Sequence, residues 1–164
     1  MESEARFRLT TGVAAHPLAE LLTCPPHVER LLSASSESVE CESGEVVFSQ
    51  YSACRGLYVV AAGDFVRNAE RLNARLTLGS ARAGDLVELA AALGDGCHTY
   101  TLTALSPGSL LLLPIQALHR AFEIYSPLRM HLLEELAREV SRTYAACCLA
   151  RVSRRRQQEF HSAV

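Results

Sequence analysis

Apolar residues recur along this chain with three successive spacings, and each change of spacing marks a change of structure. Over residues 16–33, Leu18, Leu21, Leu22, Val28, Leu31 and Leu32 follow the interval of a helix face, interrupted at Pro25-Pro26. That pattern predicts two short helices on either side of the proline pair. Over residues 38–114 the pattern shortens to β-like runs separated by Gly, Ser, Asp and Asn. The runs are Glu45–Phe48, Leu57–Ala61, Phe65–Arg67, Arg75–Leu78, Tyr100–Leu105 and Leu110–Leu113. Their spacing suits a small antiparallel barrel or jelly roll. Val87–Leu93 is the exception, since its Ala-rich, Gly-flanked sequence predicts a turn or two of helix within the sheet region.

Helical spacing returns after Pro114. Ile115–Ile124 forms one expected helix, and Ser126-Pro127 opens a longer one, so that helices fill residues 115–160. Along the longer helix Leu133, Leu136, Val140, Thr143, Cys147 and Ala150 alternate at three and four residues. Such a stripe either packs on the chain's own barrel or meets a second copy. It continues past the point where one small barrel covers a helix, which favours a homodimer. The expected fold is therefore α+β, mainly β: one domain over residues 1–164, an antiparallel β-roll flanked by N-terminal helices and a long C-terminal helix.

Composition narrows the function. A length of 164 residues suffices for a core without metal or disulfide staples, and 49% hydrophobic with 21% charged residues is globular, not disordered. No apolar run approaches the roughly 20 residues that span a bilayer. The acidic start, MESEARFRL, has no apolar signal core, so a cytoplasmic protein without membrane contact is expected. All sixteen basic residues are Arg. The absence of Lys excludes a P-loop, a Schiff base and a lysine nucleophile. A net charge of −2 argues against a broad nucleic-acid-binding surface, although Arg151, Arg154, Arg155 and Arg156 make the last residues basic.

Cys24, Cys41, Cys54, Cys97, Cys147 and Cys148 form no CxxC pair, and the six His form neither HxH nor HExxH. A preassembled metal site is not expected from these spacings. No run carries a nucleophile–base arrangement or the paired His of a barrel metalloenzyme, so an enzyme is not expected either.

Several segments taken in order resemble the cyclic-nucleotide-binding domains of the Crp–Fnr regulator superfamily, over about Leu18 to Tyr144. Gly44-Glu45-Val46-Val47-Phe48, then Gly56-Leu57-Tyr58-Val59-Val60 ending at Gly63, resemble the opening strands and their turn glycine. Gly84-Asp85-Leu86 and Glu88-Leu89-Ala90 resemble the lead-in and the phosphate-binding cassette. Ala104-Leu105, Leu110–Leu113 and Pro114 with its helix continue the match.

The resemblance implies a pocket for a small anionic ligand built from Val87, Glu88, Leu89, His98 and Thr99, with Thr143 contributed by the long helix. Glu88 stands where family members accept a ribose hydroxyl; its alternative is a solvated acid on a short helix. Thr143 stands where some members contact the purine, or is an ordinary residue of the dimer seam. Two departures bear on the anion. The residue before the Glu is normally Gly, whereas Val87 is β-branched, which disfavours a positive φ and adds bulk. The position that normally carries an Arg for the cyclic phosphate carries His98, with Thr99 keeping the usual small hydroxyl. A neutral imidazole replaces a charge-assisted pair by one ordinary hydrogen bond.

The expected function is thus a ligand-sensing domain in signal transduction or transcription regulation, with binding of cyclic AMP or GMP weak or lost. The alternatives are an interaction module with a silent pocket, or a redox or gas sensor of the Fnr-like branch. The cluster-bearing form of the latter needs N-terminal cysteines, and only Cys24 precedes Cys41. A winged helix-turn-helix, which follows the long helix in transcriptional members, is not recognised before Val164, so direct DNA binding is not expected.

Overall fold

The computed structural model describes residues 18–71 and 74–162, with Ala146 and residues 149–162 described by backbone alone. Two helices, α1 (Leu18–Leu22) and α2 (Pro26–Ser35), lead into eight strands and a short internal helix. The strands are β1 (Glu37–Cys41), β2 (Val46–Phe48), β3 (Gly56–Ala62), β4 (Phe65–Arg71), β5 (Ala74–Ala81), β6 (Leu86–Val87), β7 (Thr101–Ala104) and β8 (Gly108–Pro114). Helix α3 (Leu89–Leu93) lies between β6 and β7, and α4 (Ile115–Ile124) and α5 (Pro127–Ser162) follow the last strand. The strands form two four-stranded antiparallel sheets, in the orders β1-β8-β3-β6 and β2-β7-β4-β5. This is the expected mainly-β roll with helices at both ends.

The sequence of β3 shows why the two sheets and the helices hold together. Its first five residues are all buried, so the strand lacks the polar alternation of a one-sided sheet. Successive side chains serve different cores instead. Leu57 and Val59 face the helices and join Leu22, Val28, Leu32, Leu118, Leu128 and Leu132. Tyr58 and Val60 face into the roll and join Phe48, Phe65, Leu102 and Tyr100. Strand β8 divides in the same way, with Leu113 toward the helices and Leu110 and Leu112 toward the roll. Period-two geometry thus welds two apolar clusters through one sheet.

Differences from the expected elements have local causes. Strand β1 is absent from the sequence-based list because Glu37, Ser38 and Glu40 give it no apolar run. It is an edge strand pairing only with β8, where charge is tolerated and deters further pairing. Val87, expected to begin a helix, ends a two-residue strand opposite Tyr58, and the helix starts two residues later. The proline pair acts as expected, with Pro26 in the first turn of α2 and Pro25 as its cap. Gly63 turns β3 into β4 at φ +88°, and a Cβ there would sit 2.7 Å from the Cα of Gly108.

Helix α5, 36 residues long, extends about 54 Å. Its early residues Leu128 and Leu132 are fully buried against the helical cluster. Farther along, the stripe leaves the roll: Val140 is 58% and Tyr144 71% exposed. The acidic N-terminal segment and the side chains of Ala150 and the terminal arginines lie outside the described residues. Leu118, fully buried in α4, tests the helical cluster. Leu118→Ala is expected to cost about 2–5 kcal/mol of stability, read as a lowered midpoint in urea unfolding with unchanged far-ultraviolet dichroism.

Candidate functional site

The site is organised by one buried acid. Glu88 follows β6 and caps α3, and its backbone takes the left-handed conformation, φ 69° and ψ 35°. The positive φ expected to conflict with Val87 therefore falls on Glu88. Val87 remains a strand residue, fully buried inside the roll. The left-handed turn folds the Glu88 side chain inward, and its backbone N–H donates to Tyr100 Oη at 3.0 Å. The residue is 1% exposed, so the solvated-acid alternative does not hold.

A buried carboxylate needs partners on both oxygens. Thr99 supplies two: its backbone N–H donates to Oε2 at 3.1 Å and its hydroxyl to Oε1 at 2.9 Å. His98 supplies a third, with Nδ1 2.8 Å from Oε2. The imidazole is itself 2% exposed and stacks on Phe48, ring centres 3.8 Å apart and planes 5° from parallel. Backbone bonds fix the turn that carries it, since His98 N–H donates to Ser52 O at 2.9 Å and Tyr51 N–H to His98 O at 2.8 Å. Cys54 lies beside the cluster, its thiol donating to Gly56 O at 3.1 Å. Burial pushes this thiol up to about 11, with the neighbouring Glu88 charge acting in the same direction and the Gly56 bond opposing it. Burial likewise raises the Tyr100 phenol, reinforced by Glu88, so Tyr100 stays a neutral acceptor for the Glu88 amide.

Above this cluster, between roll and long helix, lies a cavity of about 350 Å³. Its walls are mostly apolar: Leu78, Leu89 and Tyr100 from the roll side, Leu136, Val140 and Tyr144 from α5. Glu88, Thr99, Thr143 and Cys147 also line it. A wider cavity of about 710 Å³ adjoins it, sharing Leu89, Thr143, Arg67 and Glu139 and reaching Glu20, Asp85 and His131. Of the expected ligand-binding residues, Glu88, Leu89, Thr99 and Thr143 thus border the cavities, whereas Val87 and His98 lie behind them. Leu136, Val140, Thr143 and Cys147, expected on a dimer seam, also border the smaller cavity, while Leu133 is exposed.

Arg67, a residue not singled out from the sequence, brings a cation to both cavities. Its guanidinium Nη1 donates to Glu139 Oε1 on α5, Nη2 reaches Ser80 O at 3.4 Å, and the group lies 5.8 Å from the Tyr100 ring centre. Both ion-pair side chains are only 17% exposed. Burial raises the Glu139 carboxyl and the Arg67 charge opposes that rise. The available signal was alternation: Arg67 stands two residues after Phe65 and so shares its inward face. The pairing of β4 with β5 shifts register between Arg67 and Asn68, opposite Gly79 at φ +132°, and Asn68 is buried there with its Oδ1 accepting from the Thr77 hydroxyl at 3.1 Å.

A family model described as the cyclic nucleotide-binding domain matches residues 38–125. The chain belongs to the cyclic nucleotide-binding domain family. Solved structures share the fold of this domain. The sensor domain of the transcriptional regulator DNR from Pseudomonas aeruginosa is 23% identical, with TM-score 0.65 over 79% of this chain and 87% of that one. Thermus thermophilus catabolite activator protein is 21% identical, with TM-score 0.68 over 82% of this chain and 62% of that one. The regulatory domain of Toxoplasma gondii PKA, crystallised with cAMP, is 15% identical, with TM-score 0.60 over 63% and 41%. No curated protein matches the sequence. Among the described residues, no helix is long and apolar enough to cross a membrane.

The weight of the carboxylate cluster is measurable through Thr99, which donates twice. Thr99→Val keeps the shape but removes the hydroxyl donor from a buried carboxylate. The expected loss is about 1.5–3 kcal/mol, read by urea unfolding.

Proposed function

We propose that this chain is a regulatory ligand-sensing domain of the cyclic-nucleotide-binding type whose anion cassette has become an internal latch. In this reading it is not an enzyme, works in the cytoplasm where its cysteines stay thiols, and binds cyclic AMP or GMP weakly or not at all. One observation carries the reading: Glu88 is already held by Thr99 N–H, Thr99 Oγ1 and His98 Nδ1. A ribose hydroxyl seeking Glu88, or a phosphate seeking His98 and Thr99, competes with these bonds. Each bond to a charged group given up costs about 1.5–3 kcal/mol, or roughly ten- to 150-fold in affinity. A phosphate placed there also meets the Glu88 charge in a poorly screened interior.

The pocket retains a cation in Arg67, but Glu139 holds it from the long helix. An anionic ligand reaching Arg67 must displace Glu139, and so must alter the seating of α5 on the roll. That is a direct route from pocket to helix, and differential binding to the two seatings is what a sensor requires. The exposed face of α5, with Met130, Leu133, Val140 and Tyr144, supports self-association as the output. The single-domain organisation and the binding roles of Glu88, Leu89, Thr99 and Thr143 belong to the same proposal, with Val87 and His98 acting from behind the pocket wall.

Calorimetry at millimolar cyclic AMP and cyclic GMP is expected to give heat indistinguishable from dilution; micromolar binding of either nucleotide would sink the latch. For the helix, sedimentation velocity is expected to show a dimer that Val140→Glu converts to monomer without loss of helicity. A monomeric parent protein at tens of micromolar would remove the dimer from the proposal.

A further inference from the structure

The cluster beneath the pocket holds a third reactive side chain that the cassette chemistry leaves unused. Cys54, Glu88 and His98 each bring one metal-ligating atom, and the three atoms lie within 4.8 Å of one another. They are 7%, 1% and 2% exposed. No spacing in the sequence announces the trio, because it comes from the segment before β3, the residue before α3 and the turn before β7. We propose that Cys54, Glu88 and His98 form a binding site for one zinc-class divalent cation. This goes beyond the sensing function and stands whether or not a nucleotide binds.

The donor chemistry is specific. One sulfur, one imidazole nitrogen and one carboxylate oxygen suit a borderline-soft ion, and three protein ligands leave a fourth tetrahedral position for water. Hard cations such as magnesium prefer oxygen alone. Charge points the same way: a thiolate and a carboxylate balance a dication, so the occupied site adds no net charge to the interior. The surroundings already do what an outer shell does. Thr99 fixes both carboxylate oxygens and Phe48 fixes the plane of the imidazole.

Loading requires three local changes. The His98 Nδ1 to Glu88 Oε2 contact, 2.8 Å, opens to the roughly 3.3 Å that separates ligands around a tetrahedral ion with bonds near 2 Å. The Cys54 thiol gives its proton to solvent as the sulfur–metal bond forms, the neutral imidazole takes the tautomer with its proton on Nε2 so that the Nδ1 lone pair is free for the metal, and no electron is transferred.

The full chain, stripped with a chelator under reducing conditions, is titrated with Co²⁺ as a spectroscopic probe and then with Zn²⁺. One Co²⁺ per chain is expected, with a thiolate-to-cobalt charge-transfer band in the near ultraviolet and intense visible bands of a tetrahedral ion. Zn²⁺ is expected to bleach both. Cys54→Ser is expected to abolish the charge-transfer band, while Cys97→Ser and Cys147→Ser leave it intact. His98→Gln is expected to weaken Co²⁺ binding at least tenfold while keeping the band. No stoichiometric binding by the parent chain overturns the site, as does a band that survives in folded Cys54→Ser. Should Cys54→Ser fail to fold, unchanged affinity in His98→Gln overturns it instead. Calorimetry with nucleotides reads a different event, so either proposal can fail alone.

Discussion

A carboxylate buried to 1% exposure must be answered by donors, and the centre of this domain is arranged around that requirement. Glu88 enters from a left-handed turn, Thr99 meets it with an amide and a hydroxyl, and His98 completes the ring of partners while lying flat on Phe48. Removing any of these leaves charge or polar surface stranded between two apolar clusters. The β6–α3 turn and the turn before β7 are therefore fixed to each other by polar bonds as well as by packing.

The fold makes that arrangement possible by burying both faces of β3 and β8. One face closes the roll and gives His98 its aromatic neighbours; the other seats α2, α4 and the start of α5. Since α5 begins in a fully buried stretch and then leaves the body, its middle passes over the cavity mouth, where Glu139 meets Arg67. The ion pair and the carboxylate cluster line one cavity, with Tyr100 between Arg67 and the Glu88 amide. A ligand there would be felt by the roll through Glu88 and Thr99, and by the helix through Glu139 and Thr143.

Much of this was legible without coordinates. Six of the eight strands coincide with apolar runs in the sequence, the proline pair marks the start of α2, and the glycine at the β3–β4 turn has the positive φ its place demands. Glu88, His98 and Thr99 were identified as one group by their order and separation. What escaped was everything set by pairing across the sheets. Strand β1 carries its charge because it is an edge, and no residue inside it says so. Arg67 resembled any strand-end arginine until Glu139 of a crossing helix and the Tyr100 ring enclosed it.

The chain's own pattern settled the class of fold, because period, turn residues and spacing are local properties that survive in one dimension. Tertiary structure alone decided the partners. Whether His98 faces a ligand or the neighbouring carboxylate depends on where Phe48 and Thr99 come to rest, and whether Cys54 stands alone or beside them depends on which segments the roll closes together. Burial and juxtaposition are long-range outcomes, so a sequence can name the groups at a site before it can say which of them touch.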